Sequence, residues 1–553
     1  MTQADAAIYF HPEAYSISGE KLMGRHAAGN GFLRAYFRHG TGTRLMAQVD
    51  QAAHGDAFQR LAHDAGRQEP VEIVGKENLG DLKASGTVYF PGPGIGAQAR
   101  LRSFWGHDAW SLCGITHTTA NQGTVENLTA LATDPVQPWD ALICTSNAVK
   151  ANVEYLLDRQ EEYLAERLGA TQATRPMLPV IPLGVHTDDF SFDADAKGKA
   201  RQTLGVPIDA VVVLYLGRLS FHAKAHPLPM YLALERAAQE TGKSVYLVEC
   251  GWHGNAAISK AFEEAAEQGC PSVRRLFLDG REPANRDTAW AAADIFCSLP
   301  DNIQETFGIT PLEAMSAGLP LVVSDWDGYK DTVRDGVDGF RVPTLMPEQG
   351  LGADLARRHA LNIDSYDRYI GYTSMSIAVD VEAATRAFVS LFLDPDLRRQ
   401  MGAAGRARAI ATYDWAQIIP QYEQLWVKMT HERRHARGAA QHNKIWPAYQ
   451  DPFCAFAGYS TEVLKPSSHL QLADPDVSRS LSRAIAFSEL AAVNYASAVL
   501  PSKQDIRVIV ECVAETGPGS VQVIADALSL QSRNSLKHWL IWLVKMGILH
   551  REQ

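Results

Sequence analysis

The sequence lacks the features that mark secreted, disulfide-bonded and membrane-spanning proteins. Its seven cysteines are an odd number, form no C-x-x-C pair and mostly lie in apolar runs, which indicates reduced core residues. The start, MTQADAAIYFHPEAYS, has neither the basic nor the apolar region of a signal peptide. No apolar run is long enough to span a bilayer. We therefore expect a cytoplasmic protein without a transmembrane segment.

Positive charge is also scarce. The chain has 52 Lys and Arg against 63 Asp and Glu, a net charge of −11, which disfavours nonspecific attraction to nucleic acid or anionic lipid. Its composition, with 46% hydrophobic and 21% charged residues, is that of an ordinary globular protein. A length of 553 residues exceeds what one core can hold and allows three or four domains.

Apolar strands alternate with amphipathic helical stretches, which predicts parallel sheets covered by helices. Up to about Val185 the strand-like runs are AIYFHP, TRLMAQVD, VEIVGK, TVYFPG, SLCGITHT, ALICTS and MLPVIPLGV. The later runs are VVVLYLGRL, SVYLVECGW, VRRLFLDG, DIFCSL and LPLVVSD. We therefore expect an α/β fold with two Rossmann-like domains, whose ligands collect at the carboxyl ends of the strands.

The segment Ser298–Pro320, SLPDNIQETFGITPLEAMSAGLP, joins two of these strands through a loop and a helix. Thr310 suits the N-cap and Pro311 the first helical position. Glu313, three residues after that cap, would then form one half of a capping box. The alternative is that the positive end of the helix binds an anion such as phosphate. Glu305 and Glu313 would then hydrogen-bond sugar hydroxyls beside this anion.

The E-x7-E spacing from Glu305 to Glu313, followed by EAMSAGLPLVVSD and DGVDGF, resembles the retaining glycosyltransferases of family 4. The resemblance extends from about Ala7 to Met429. It implies the GT-B architecture, with two Rossmann-like domains facing across a cleft. It also implies a nucleotide-diphosphate sugar as the donor substrate, no other cofactor and no metal site.

The same resemblance implies roles for the residues of the motif. Glu305 is expected to act in catalysis beside the donor sugar, and Glu313 is expected to hold the nucleotide ribose. The segment that contacts the diphosphate and the sugar is expected to comprise Phe307, Gly308, Ile309 and Thr310.

A second loop, GRLSFHAKAHP, carries two cations, Arg218 and Lys224. A solvated surface pair is one interpretation, but their place at the carboxyl end of a strand favours an anion clamp. The family carries G-R-L…K here, and both cations bind the donor diphosphate, so the resemblance makes both catalytic candidates. This sequence departs from the family by one additional residue and by Ala225 where glycine is usual.

Two sites in the first half complete the set of candidates. His117 follows the strand of SLCGITHT, and although a lone histidine is more often structural, the resemblance places it beside the donor sugar as a catalytic residue. Gly29, Asn30 and Gly31 are expected to open a helix, where backbone can approach a phosphate or sugar. A plain turn is the other interpretation, since no complete G-x-G-x-x-G is present. The family has a glycine loop at about this place that contacts donor or acceptor, so the resemblance makes Gly29 and Gly31 candidates for donor binding.

The terminal segment reads as a separate module. The segment from Pro501 to Gln553 contains six cationic and five acidic residues. This near balance provides little positive charge for binding the phosphates of a nucleic acid. Three amphipathic helices with a turn at GPGS resemble a winged helix-turn-helix. The last helix is apolar from Trp539 to Val544, with Trp539, Trp542 and Leu543 expected to offer apolar area to a protein surface. We therefore expect a protein partner or a second copy of the chain at this module, and no nucleic acid.

The expected domains follow from these boundaries. They are an N-terminal Rossmann-like, acceptor-side domain at 1–185; a nucleotide-sugar-binding domain with closing helices at 186–430, interrupted by an insertion at about 345–373; a linker and helical segment at 431–500; and the winged-helix-like module at 501–553.

The expected function is transfer of a sugar, with retention, from a nucleotide-diphosphate sugar to a saccharide, lipid-linked or protein acceptor. Two alternatives stay open, because the architecture alone does not set the reaction. One is a phosphorylase or a sugar-nucleotide epimerase on the same fold. The other is a regulator or scaffold that senses a nucleotide sugar and acts through the terminal helices.

Overall fold

The apolar segments up to residue 143 form one parallel sheet, as their alternation with helices predicts. The computed structural model describes residues 5–16, 24–193, 195–436, 445–528 and 533–552. The strands are β1 Ala7–Tyr9, β2 Leu45–Gln48, β3 Val71–Val74, β4 Thr87–Tyr89, β5 Ser111–Ile115 and β6 Ala141–Ile143. Their order is β3-β2-β1-β4-β5-β6, with parallel neighbours.

Helices connect these strands and cover the sheet. They are α1 Pro12–Tyr15, α2 Gly24–His39, α3 Ala52–Asp64, a 3-10 segment Lys76–Ala84, α4 Ile95–Arg102, α5 Gln122–Ala130, α6 Asn147–Leu168 and a 3-10 turn Thr187–Phe190. The run MLPVIPLGV, expected to be a strand, contributes isolated bridges at Met177, Val180 and Val185 instead. Pro179 and Pro182 interrupt it, because proline has no N–H for a strand ladder.

The second half repeats this arrangement, so two Rossmann-like domains are confirmed. Its strands are β7 Val211–Leu216, β8 Val245–Gly251, β9 Arg274–Asp279, β10 Ile295–Ser298, β11 Leu321–Ser324 and β12 Gly339–Val342. The order β12-β11-β10-β7-β8-β9 is again parallel. The early helices of this half are α7 Ala196–Leu204, α8 Pro227–Thr241, α9 Ala256–Gly269, α10 Pro283–Ala292, α11 Ile309–Ser316 and α12 Tyr329–Thr332.

The predicted insertion is a helical excursion between two short strands. β13 Thr344–Leu345 pairs antiparallel with β14 Ala378–Val379, and the chain between them forms α13 Ala353–Ala360 and α14 Tyr366–Ser374. A Cβ on Gly371 would lie 2.9 Å from the His222 Cβ. The insertion therefore packs against the loop that carries Arg218 and Lys224.

The last helix of this unit returns to the first domain. The closing helices are α15 Val381–Leu393, α16 Pro395–Arg408, a π segment Ala409–Tyr413 and α17 Trp415–His435. On α17 the Trp415 ring packs against Gly31 and Gly184, and Arg433 Nε donates to the Ser111 hydroxyl of β5 at 3.2 Å. Because α17 contacts the first domain in this way, both domains belong to one compact unit, Met1–Ala448.

A second unit comprises Tyr449–Gln553. Its elements are α18 Pro452–Ala455, a 3-10 turn Ala457–Tyr459, β15 His469–Leu472, α19 Val477–Glu489, α20 Ala491–Asn494, a 3-10 turn Ser497–Val499, α21 Lys503–Thr516, β16 Gly519–Ser520, α22 Val521–Ala527, α23 Arg533–Lys545 and β17 Leu549–Arg551. β15 pairs antiparallel with both β16 and β17. The unit thus begins before the predicted 501–553 module, because its central strand comes from the segment expected to be a linker. Of that segment, residues 437–444 lie outside the described ranges.

The interpretation of the last helix as an apolar surface is wrong. On α23, Leu540 and Leu543 are fully buried and Trp542 is 8% exposed. These side chains join the core of the second unit, because the unit's other helices and β15 cover that face of α23. Ile541, at 50% exposure, is the large apolar residue that α23 presents to solvent. Within the described ranges, no helix combines the length and apolarity needed to cross a membrane.

Candidate functional site

The loop between β10 and α11 lies against the loop between β7 and α8. The Asn302 side-chain amide donates to the carbonyl of His222 at 2.6 Å, and the Gln304 amide donates to the carbonyl of Ala223 at 3.1 Å. Sequence reasoning did not single out Asn302 or Gln304, although both stand in the string DNIQE. These hydrogen bonds bring the E-x7-E motif to the loop of the two predicted cations.

The closest contact between the two loops is an ion pair of Lys224 with Glu305. The side chains are 24% and 11% exposed. Burial opposes the charge of Glu305, but the neighbouring ammonium of Lys224 outweighs it, so the pKa of Glu305 is lowered. Burial likewise opposes the charge of Lys224, and the Glu305 carboxylate outweighs it, so the pKa of Lys224 is raised. Both groups are therefore charged at neutral pH.

Arg218 lies at the same place, directly after β7. Its guanidinium donates to the carbonyl of Ala223 at 3.4 Å, and its own carbonyl accepts from the Tyr215 hydroxyl at 3.1 Å. The guanidinium is close enough to Lys224 to oppose the charge of that ammonium. The structure therefore brings together Arg218, Lys224 and Glu305, which stand far apart in the sequence.

The helix after Glu305 begins earlier than predicted. α11 starts at Ile309, with Gly308 as its N-cap and without a side-chain cap, so the N-cap at Thr310 was wrong. Gly308 has φ of +79°, and a Cβ there would lie 1.9 Å from the ring of Tyr329. This contact fixes the turn at a glycine. Glu313 is consequently the fifth residue of the helix, and it forms no capping box with Thr310.

Glu313 is therefore available for a role other than helix capping. Burial raises its pKa to about 7, although the cations Arg286 and Lys224 oppose the shift. Arg286 comes from α10 and donates to the carbonyl of Gly280 at 2.7 Å. Arg286 was not predicted as a site residue. The available signal was its position in GREPANRD, the loop and first helical turn that follow β9.

The remaining motif residues contribute backbone. Phe307 is 2% exposed, so its side chain belongs to the core. Gly308, Ile309 and Thr310 place the first N–H groups of α11 beside Glu305, where an anion would meet the positive end of the helix. This arrangement agrees with an anion site and leaves the donor-binding roles of these residues as predictions.

The first domain supplies His117, two residues after β5. Its Nε2 lies 3.1 Å from the carbonyl oxygen of Pro91. Burial raises the pKa of the Tyr366 hydroxyl on the insertion, and the nearby side chains of Thr118 and Arg218 oppose that shift. The carboxyl edge of the first sheet therefore faces the loop of Arg218, and His117 stands on that edge.

Gly29 and Gly31 do not open a helix. They lie inside α2, which begins at Gly24. A Cβ on Gly29 would lie 2.0 Å from the carbonyl oxygen of Ala14, and one on Gly31 would lie 3.2 Å from Nε1 of Trp415. Close helix packing accounts for both glycines, and their interior N–H groups are taken up by helical hydrogen bonds.

The described residues contain no cluster of three or more His, Cys, Asp or Glu side chains that could hold a metal ion. Two aspartates of the loop after β11, Asp325 and Asp327, lie in different environments. Asp325 lies 3.4 Å from the guanidinium of Arg341, whereas Asp327 contacts Ser146 of the first domain.

Comparisons with known proteins identify sequences similar to this chain. Residues 196–350 match the family model described as Glycosyl transferases group 1. The D-inositol 3-phosphate glycosyltransferase of Corynebacterium urealyticum is 25% identical over 244 residues, 44% of this chain and 56% of that protein. Phosphatidyl-myo-inositol mannosyltransferase of Mycobacterium tuberculosis is 28% identical over 248 residues, 44% and 53% of the two chains. The chain thus spans about half the length of the curated relatives it matches.

The chain also has similarity to solved structures, at lower identity. Anabaena Alr3699/HepE in complex with UDP-glucose is 18% identical, with a TM-score of 0.47 over 76% of this chain and 98% of that chain. The matched segment 196–350 contains Arg218, Lys224, Glu305 and Glu313. The resemblance of the E-x7-E motif to glycosyltransferases is confirmed over residues 196–350, which match the glycosyl transferases group 1 model.

Proposed function

We propose that this protein transfers a sugar from a nucleotide-diphosphate sugar to a hydroxyl of a saccharide, lipid-linked or protein acceptor, with retention and without a catalytic metal. One observation carries the proposal. Arg218, Lys224 and the start of α11 surround Glu305 at the carboxyl edge of a Rossmann-like domain, which is where such folds bind nucleotides.

The cations would supply the positive charge that stabilises the departing diphosphate. In the transfer, the bond between the anomeric carbon and the diphosphate oxygen breaks while the acceptor oxygen bonds to the same carbon. The acceptor proton passes to the departing diphosphate, since both lie on the same face of the sugar in a retaining reaction. Arg218, Lys224 and the N–H groups of α11 would stabilise the growing negative charge, which is electrostatic transition-state stabilisation. This positive charge performs the task of a metal ion in the proposed mechanism.

The two glutamates would position the donor. Glu305 is ionised and held by Lys224, so it would accept hydrogen bonds from sugar hydroxyls. Glu313, with its pKa near 7, would accept from the ribose hydroxyls on the opposite side of the diphosphate. His117, on the facing sheet edge, would approach the donor sugar from the first domain.

The direct test is transfer from a panel of nucleotide sugars. The full chain is first screened by thermal denaturation, because a ligand at about 100 times its dissociation constant stabilises the folded state by about 2.7 kcal/mol. Each stabilising donor is then incubated with sugar and lipid acceptors, with and without EDTA. The expected product keeps the anomeric configuration of the donor and forms equally with EDTA.

Variants distinguish the site from the rest of the surface. Arg218→Ala should lower turnover by about 100-fold or more, as for loss of one preorganised donor, with little change in stability. Arg236→Ala is the matched control, because Arg236 pairs with Glu382 on an exposed helical surface. Equal turnover of the two variants would contradict the proposal. Phosphate-dependent cleavage, epimerisation, or ligand binding without turnover would favour one of the alternative functions.

A further inference from the structure

Ser146 connects the first domain to the residue that follows Glu305. It lies after β6, is fully buried and caps α6, where its Oγ accepts from Val149 N at 3.1 Å. The same oxygen lies 3.0 Å from the carbonyl oxygen of Thr306 and 3.3 Å from Oδ1 of Asp327. One hydroxyl of the first domain therefore contacts two loops of the second domain.

The number of protons at this contact restricts the state of Asp327. A serine hydroxyl carries one proton and can accept two hydrogen bonds. It already accepts from the backbone of α6, so it cannot donate to both Thr306 and an ionised Asp327. All contacts of Ser146 are satisfied if a protonated Asp327 donates to Ser146 and Ser146 donates to Thr306. Burial, with the nearby charge of Glu305, raises the pKa of Asp327 well above its usual range, which agrees with this assignment.

The backbone of Asp327 is also unusual. Its φ is +45°, in the left-handed region that favours glycine. A side chain kept at a strained backbone position indicates a use for that side chain. The contact of the Asp327 carboxyl group with the Ser146 hydroxyl is such a use.

A second contact ties the same two elements together. The backbone N–H of Asn147 donates to Oδ2 of Asp331 at 2.7 Å, and the Asn147 amide donates to Oδ1 at 3.2 Å. A carboxylate at the positive end of α6 is electrostatically favourable. The first turn of α6 is therefore attached to the loop after β11 at two points.

We propose that Ser146 and Asp327 are positioning residues that hold Glu305 in place when the two Rossmann-like domains are closed. The hydrogen bond from Ser146 fixes the Thr306 carbonyl, and with it the peptide that follows Glu305. Asp327 orients the Ser146 hydroxyl toward Thr306. This inference rests on the proposed function of Glu305. It assigns the loop after β11 a role in aligning the donor sugar.

Three substitutions separate positioning from folding. Ser146→Gly removes the hydroxyl, and glycine is nearly as good an N-cap as serine. It should lower kcat by about tenfold, the size of coupling between directly contacting residues, with the donor KM within about twofold. Asp327→Gly should lower kcat similarly while its thermal midpoint is unchanged or raised, because the backbone strain is relieved. Asp327→Asn should retain most of the turnover, because a neutral amide can also donate to Ser146.

Asp380→Gly is the matched control for loss of a helix cap. Asp380 caps α15 by accepting from Ala383 N at 2.9 Å, and it is exposed. Its removal should leave kcat at the parent value. The proposal is overturned if Ser146→Gly and Asp327→Gly keep the parental kcat. It is equally overturned if their turnover falls only in proportion to a lowered thermal midpoint.

Hydrogen exchange of the full chain without ligand provides a readout independent of activity. Peptides covering residues 302–310 should exchange faster in Ser146→Gly than in the parent and in Asp380→Gly. Equal exchange would refute the contact between the domains itself. If the parent transfers no sugar from any donor, the proposed function fails, whatever the exchange shows.

Discussion

Removing Lys224 should destabilise the protein as well as lower its activity, because Lys224 neutralises a largely buried carboxylate. The Glu305 side chain is 11% exposed and that of Lys224 is 24% exposed. Breaking such a pair leaves an uncompensated charge, which typically costs 3–5 kcal/mol. The partial exposure of Lys224 favours the lower end. We therefore expect Lys224→Met to lower the free energy of unfolding by about 3 kcal/mol.

A double-mutant cycle with Glu305, the partner of Lys224, tests this explanation. In a Glu305→Gln background no buried carboxylate is left, so Lys224→Met should cost only about 1 kcal/mol. The difference, a coupling energy of about 2 kcal/mol, lies in the range for directly contacting residues. Urea denaturation followed by tryptophan fluorescence measures all four proteins. Lys260→Met is the control, because Lys260 forms an exposed pair with Glu264, worth less than about 0.5 kcal/mol.

The pH dependence of this coupling has a definite sign. The pKa of Glu305 is lowered below its ordinary 4.5, so the pair stabilises the protein above pH 4.5 and loses this effect as pH falls through the folded pKa. The pKa of Lys224 is raised above 10.5, so the effect is also lost as pH rises through that higher value. The reasoning is refuted if Lys224→Met is as stable as Lys260→Met at pH 7. It is also refuted if the losses of unfolding free energy caused by Lys224→Met and Glu305→Gln simply add in the double variant.

Three further predictions concern single residues. Because the pKa of Glu313 rises from 4.5 to about 7 on folding, the protein should lose about 3 kcal/mol of stability from this group as the pH rises from 4.5 to 8. Glu313→Gln should abolish this pH dependence, as measured by unfolding at both pH values, and should weaken donor binding, as measured by titration. Gly308→Ala should abolish transfer and lower the thermal midpoint, since the new Cβ would overlap the Tyr329 ring; wild-type turnover would disprove the described start of α11. Trp542→Ala should cost the second unit about 3–5 kcal/mol, as for a core aromatic, and an unchanged urea profile would restore the interpretation as a surface residue.

The alternation of strands and helices could be predicted from the sequence because a parallel strand is buried on both faces. Such strands appear as continuous apolar runs, for example VVVLYL at Val211–Leu216 and VYLVECG at Val245–Gly251. The E-x7-E motif and the cations at Arg218 and Lys224 were also visible, because each lies in the segment that connects such a run to the next one. β12 was missed, since Gly339–Val342 is short and only partly buried.

The details of the site depended on contacts between distant parts of the chain. The turn at Gly308 is fixed by the ring of Tyr329, and no local pattern predicts that contact. Gly29 looked like a ligand loop, but a carbonyl of α1 explains it. In each case the local signal, a capping residue or a glycine, was compatible with two structures, and packing selected one.

The sequence by itself determined the fold class, the resemblance to glycosyltransferases and the candidate residues of the site. Only the tertiary structure decided that Lys224 pairs with Glu305, that Ser146 of the first domain contacts the peptide after Glu305, and that Trp542 faces inward. The physical reason is that hydrophobic periodicity is encoded within a few neighbouring residues. A charge pair or an interdomain hydrogen bond instead arises when the fold brings together elements that are far apart along the chain.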